Sequence, residues 1–266
     1  MRIAARLTAL ALTTAAAAWI GAWPGVGAWP GSAAAQSADI EQAAQYQACM
    51  DLAETAPDEA LEAAETWVDL GGSDPARHCA AVALMRLGHH EAAGQELETL
   101  AGSLEAAYAS LQIPILIQAA QAWLAAGNVD RAYAVQTNAL AREPNNIELL
   151  VDRAFTAASV GNYKAAIDDL DRALSHAPNR ADILIYRASA HRLLDQPEAA
   201  MADVETALKL DPRNPEGLLE RGNLKRLAGD DAGAREDWLE VTRLAPETPA
   251  AADAQDNLAK LDVKVE

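Results

Sequence analysis

Few residues in this chain of 266 are spaced so that they could do chemistry together. Arg153, Arg187 and Arg221 recur every 34 residues, and Asp169, Asp203 and Asp237 follow them, each 16 residues after its arginine. One period earlier the two slots hold Ala119 and Val135, so both charges are missing together. A guanidinium and a carboxylate that come and go as a pair point to a structural ion pair. The alternative is an arginine ladder for an acidic ligand. Cys49 and Cys79 are the only cysteines. Counted on the same period, they fall about one helical turn apart on successive helices, within reach of a bridge. A disulfide is expected, with two buried, reduced thiols as the alternative. His89 and His90 precede Glu91, but adjacent residues point to different faces, so they read as solvent-exposed and not as metal ligands. His191 falls on a first helix, where a packed or solvated role outweighs a ligand role.

The search for a catalytic motif is negative. The chain has no phosphate loop G-x-x-x-x-G-K-[ST], no H-E-x-x-H, no G-x-S-x-G and no C-x-x-C. No cofactor, metal site or catalytic residue is predicted. The carboxylates are many, but they follow helical surfaces, with no isolated apolar setting to tune an acid–base pair. An enzyme site in the diverged stretch 74–112 is the least favoured reading.

Charge and targeting narrow the setting. Arg2 and Arg6, the apolar run from Leu7 to Ile20 and the small residues Ala33, Ala34 and Ala35 form the pattern of a secretory signal peptide over residues 1–35. An uncleaved anchor is the alternative. Cleavage near Ala35 would leave a periplasmic or secreted bacterial protein with no inserted segment. The net charge is −18, and the leader carries two arginines and no acid, so its removal leaves the chain more acidic still. Such a surface repels nucleic acids and anionic lipid.

The elements that position these residues follow from the period. Gly127, Gly161 and Gly229 fall on it, with Asp195 in the missing slot. Ala132, Ala166, Ala200 and Ala234 form a second column, and Pro144, Pro178, Pro212 and Pro246 a third. A period of this length marks a stacked array of helix hairpins. In one unit, Ala181 to Leu194 reads as the first helix and Pro197 opens the second, which ends at Leu210. Ala188, Ala200 and Ala207 let the two approach, and Leu184, Val204 and Leu208 fill between them. Upstream the period blurs. Glu41–Ala53 with Pro57–Leu70, and Pro75–Leu87 with Glu91–Leu100, read as two diverged hairpins, and 103–112 as another helix or a long extension of the 91–100 helix. Ala250 to Leu261 reads as a capping helix. The expected organisation is therefore 36–112 diverged hairpins, 113–248 four in-phase units and 249–266 a cap.

Ile113–Asn146, Ile147–Arg180, Ala181–Asn214 and Pro215–Thr248 resemble four consecutive tetratricopeptide repeats. Ala120, Ala154, Ala188 and Gly222 match the family's small-residue slot in the first helix. Tyr163 matches its aromatic at the start of the second helix, and Leu170 and Trp238 its large packing residue there. The tryptophan of the family's first helix is replaced by Leu116, Leu150, Leu184 and Leu218. The resemblance implies an all-α fold, a right-handed superhelical solenoid of antiparallel helix hairpins. It also implies that first helices line a concave face that takes a protein or peptide partner. Carried over, that face holds Ile117, Val151, Ile185 and Leu219, then Gln121, Phe155, Ser189 and Asn223. A third column holds Leu124, Ala158, Arg192 and Arg226. The apolar column would take a partner's side chains, Gln121 and Asn223 its backbone, and Arg192 and Arg226 a carboxylate. The expected function is a non-catalytic interaction scaffold of the bacterial envelope. A periplasmic assembly or chaperone-like factor for extended clients is the alternative.

Overall fold

The structure, a computed structural model, describes residues 33–104 and 110–262. The leader expected over 1–35 lies outside the described residues except for its last three. Thirteen α-helices make up the described residues: α1 Ala33–Thr55, α2 Pro57–Asp69, α3 Ser73–Arg86, α4 His90–Ser103, α5 Gln112–Ala125, α6 Val129–Arg142 and α7 Ile147–Ser159, then α8 Tyr163–His176, α9 Ala181–Leu193, α10 Pro197–Leu210, α11 Pro215–Leu227, α12 Asp231–Leu244 and α13 Pro249–Asp262. None of them is long and apolar enough to cross a membrane. α1 begins at Ala33 and not at Glu41, because nothing between them breaks a helix and alanine favours one. The helix expected over 103–112 falls largely on residues outside the described set, and Gln112 opens α5.

The chain divides at Glu143/Pro144 into two compact units. This is a different cut from the 112/113 boundary that the repeat phase suggests, because α5 packs on α4 as well as on α6. In the first unit, α1 to α6 pack in chain order, with α1 also on α3. In the second, the hairpins α7/α8, α9/α10 and α11/α12 stack, and α13 lies against α11 and α12.

Three columns of the sequence set the helix ends. Gly127, Gly161 and Gly229 have φ of +76°, +78° and +83°, and Asp195 takes the same left-handed turn at +58°. Glycine has no Cβ to clash there, and aspartate is among the side chains that tolerate it. After α7 the Asn162 N–H reaches back to the Ala157 carbonyl, which satisfies an otherwise orphaned acceptor. Asn128, Asn162 and Asp230 then cap the second helices by accepting from Arg131, Ala165 and Gly233. Asn146, Asn214 and Thr248 cap α7, α11 and α13 in the same way. Proline at the first position of α10, α11 and α13 loses no helical hydrogen bond.

The core of the second unit runs through Ala188, Ala200, Val204, Leu208, Trp238 and Val241 to Ala250 and Ala254 of α13. Gly222 makes room for the indole: a Cβ there would stand 2.5 Å from Trp238 Nε1. In the first unit, Tyr46, Cys49, Trp67, Ala76 and Cys79 form a core of their own. Cys49 and Cys79 are bonded, with Cα atoms 6.2 Å apart, and the bond ties α1 to α3.

Candidate functional site

The repeated charges meet across their hairpins. Arg153, Arg187 and Arg221 each donate two hydrogen bonds, from Nε and Nη2, to Asp169, Asp203 and Asp237, over 2.6–2.9 Å. The three aspartate side chains are 4%, 10% and 6% exposed, so these carboxylates are spent inside the fold. Arg187 also binds Asp171 at 2.5 Å, and Lys225 binds Asp237 at 2.8 Å. The hydrogen bonds that Arg187 donates to Asp203 raise the pKa of Arg187, and those that Arg221 donates to Asp237 raise that of Arg221. An arginine held this way by the carboxylate of its own hairpin is a structural pair more than a ladder for an acidic ligand.

The columns placed on the concave face divide. Val151 and Ile185 are buried, at 6% and 4% exposure, and so are not an exposed apolar column. A first helix inside a stack touches neighbours over more than one stripe, and both valine and isoleucine lie on that widened face. Arg192 does not offer a free cation either. Its Nε donates to Glu220 at 2.5 Å, and the Glu220 side chain is 6% exposed. Arg226 is paired with Asp231 at 2.9 Å. Asn223 accepts a hydrogen bond from Asn257 of α13, and Leu219 packs on the cluster that α13 completes. The C-terminal part of the expected face is thus engaged by the chain's own cap. In the first unit, Ile117 and Gln121 are half-buried on α5. Phe155 and Ser189 remain accessible in part.

Phe155 and Ser189 line one pocket, between α7, α8 and α9. Its floor is the buried Ala154, Ala166 and Leu170, and Phe155, Tyr163 and Tyr186 are half-buried around it. The Phe155 and Tyr186 rings meet edge to face with centroids 4.6 Å apart. The empty space is about 380 Å³, part of it open to solvent. It arises from side-chain size. Two units further on, the positions of Ala154 and Leu170 hold Gly222 and Trp238, and there the indole is fully packed. A leucine beside Ala154, Ala158 and Ala166 fills less.

The electrostatics beside the pocket are acidic. Asp152 sits one turn before Phe155, and Tyr186 is its equivalent in the next unit. Burial, together with the nearby Glu148, raises the Asp152 carboxyl to about 6. Burial also raises the Tyr186 hydroxyl, with Asp182, Glu216 and Glu148 adding to the shift and Arg180 opposing it. Arg180 is itself bound by Asp182 and Glu148.

A second polar group lies in the first unit. His78 of α3 is buried between the Tyr46 hydroxyl, 2.8 Å away, and Gln118 Oε1, 2.7 Å away. Burial lowers the His78 pKa, and the hydrogen bond to Gln118 partly offsets this. The three side chains tie α1, α3 and α5 together next to the disulfide. Sequence reasoning missed this group, as it missed Asp152, Tyr186 and Glu220. The last three share one column at the 34-residue spacing, and that spacing was the signal that could have found them. His89 is exposed, and His191 bonds Gln196 at 2.7 Å. Among the described residues no three His, Cys, Asp or Glu side chains are grouped to hold a metal.

Stacked antiparallel hairpins with an in-phase period define a helical-repeat protein. The tetratricopeptide repeat family model matches residues 119–191, and a second model of the same description matches 181–214. Tetratricopeptide repeats thus span residues 119–214 of this chain. Solved structures share the fold. The C-terminal part of a tetratricopeptide repeat-containing protein from Cytophaga hutchinsonii is 15% identical, with a TM-score of 0.64 over 81% of this chain and 84% of that one. MamA from Desulfovibrio magneticus RS-1, from residue 41 to its end, is 20% identical, with a TM-score of 0.53 over 70% of this chain and 97% of that one. A double mutant of MamA RS-1 is 22% identical, with a TM-score of 0.54 over 62% and 90%. No curated protein matches the chain in sequence.

Proposed function

We propose that this protein is a non-catalytic scaffold of the bacterial cell envelope that takes a segment of a partner protein on the first-helix face of residues 144–262. The pocket beside Phe155 and Tyr186 carries the reading. It is apolar, opens to solvent and is not filled by the side chains of the described residues, which is what a partner's side chain needs. The ion-paired Arg192 and Arg226 argue against a carboxylate clamp at the other end of the face. The signal-peptide pattern in the sequence of residues 1–35 and the buried Cys49–Cys79 bond support an oxidising compartment outside the cytoplasm.

A photo-reactive phenylalanine analogue at position 155 tests this. Irradiation should give crosslinks that mass spectrometry maps to one partner segment, and Ala158→Phe, which fills the pocket, should abolish them. Crosslinks to many unrelated extended chains would favour the chaperone-like alternative. Crosslinks only within this chain would overturn the docking site. Intact mass of the exported protein tests the leader, with loss of residues 1–35 expected.

A further inference from the structure

We infer that the segment seated in the Phe155–Tyr186 pocket is cationic as well as apolar: an aliphatic or aromatic side chain fills the pocket, and a neighbouring lysine or arginine pairs with Asp152. This rests on the docking reading above and adds the chemistry of the occupant.

The charge balance of the first helices points this way. Arg153, Arg187, Arg192, Arg221, Lys225 and Arg226 all have a carboxylate partner within 2.9 Å. Arg180, just before α9, is held by Glu148 and Asp182. No base on these helices is left to meet an acidic ligand. The unmatched groups are acids. Among the acids of α7, α9 and α11, Glu148, Asp182 and Glu220 are paired, and Asp152 and Glu216 are not. Asp152 does not line the pocket itself, but it stands one turn before Phe155 on α7 and holds the position that Tyr186, which does line it, occupies in the next unit.

A desolvated carboxylate without a base is unfavourable in the free protein. A cation brought in by the partner would relieve that, whereas an acidic segment would meet repulsion from Asp152, Glu148 and Glu216 together. Apolar contact in the pocket and charge outside it would then fix the direction of the segment. A leucine alone would be held weakly and a lysine alone only by a partly screened charge.

The test uses the full-length chain and three fluorescein-labelled peptides with the same central leucines, flanked by lysines, serines or glutamates. Fluorescence anisotropy should show the lysine peptide binding about tenfold tighter than the serine peptide, and the glutamate peptide weakest. Asp152→Asn should reduce the lysine preference to about threefold or less, whereas Glu236→Gln, on α12 away from the pocket, should leave it unchanged. That contrast separates a local pairing from the overall acidity of the chain. Ala158→Phe should abolish binding of all three, with thermal melting of each variant measured alongside. Equal binding of the lysine and serine peptides, or a preference that survives Asp152→Asn, would overturn the cationic partner and leave the docking pocket standing. Binding unaffected by Ala158→Phe, or position-155 crosslinks only to this chain or its copies, would overturn both.

Discussion

At the residue scale, Arg187 and Asp203 show what the repeated charges do. The guanidinium spans α9 and α10 with two hydrogen bonds and reaches Asp171 of α8 with a third. Arg187→Ala should destabilise by about 2–3 kcal/mol in urea unfolding, because it strands a carboxylate that is nearly buried. Replacing both partners, as Arg187→Met with Asp203→Leu, should cost less than the single change, since no unpaired charge remains. The pairing fixes which helices meet more than it stabilises them. Asp152 is the opposite case, a carboxylate whose folded pKa of about 6 lies above its ordinary 3.8. The folded state holds that proton more tightly than the unfolded chain, so the ionised form destabilises. The penalty is full above pH 6 and fades as the pH falls from there toward 3.8. Asp152→Asn should therefore raise stability by about 3 kcal/mol at pH 8 and by about half as much at pH 5, read from urea midpoints at the two pH values. A gain that did not shrink on acidification would mean that the carboxyl is not the cause.

At the element scale, α1 and α3 are joined twice, by the Cys49–Cys79 bond and by the hydrogen bond between Tyr46 and His78. The bond closes a loop with a sequence separation of 30. In the chain-entropy picture such a loop contributes about 3–4 kcal/mol by constraining the unfolded chain. The double variant Cys49→Ala/Cys79→Ala should lose about that much, and amides of α1 to α3 should exchange faster with deuterated solvent. Unchanged exchange there would show that packing alone holds the pair. The elements themselves were largely legible. Glycine at 127, 161 and 229 and proline at 197 mark ends because the backbone has few other residues for those conformations, and α10 begins at Pro197 and ends at Leu210. The asparagine caps at 128, 146, 162 and 214 were equally readable, yet a search for chemistry passes over them. The Tyr46–His78–Gln118 group was not legible. Its members sit 32 and 40 residues apart, off the period, in the part of the chain where the repeat has drifted.

At the scale of the whole molecule, the site was harder to read than the stack, for a physical reason. A period places a residue on a helix face, but exposure depends on what the adjoining helices bring to it. Val151 and Ile185 share a column with the half-buried Ile117 and Leu219, and neighbouring helices cover them. Arg192 meets Glu220 28 residues on, a separation the period does not contain. The pocket follows from a contrast that was on view, Leu170 where a later unit has Trp238, but its meaning needs the packed indole against Gly222. A repeat stack is stabilised by nearest neighbours, so its last hairpin depends on whatever covers it. Here that is α13. Ala250, Ala251 and Ala254 are buried in the cluster with Trp238 and Val241, Leu258 and Leu261 pack on its edge, and Arg235 and Asp262 pair across it. A chain ending at Thr248 loses all of these and exposes the apolar face of α11 and α12. The loss should be about 3 kcal/mol, from the apolar area returned to water. Because coupling is local, hydrogen exchange should quicken first in α11 and α12 and least in α7 and α8. Restoring only the apolar contacts, with Asn257→Ala in the full chain, should keep most of the stability. Uniform loosening across residues 144–248 in the truncated chain would mean that this unit folds as one cooperative block, and that α13 is part of its core and not merely its cap.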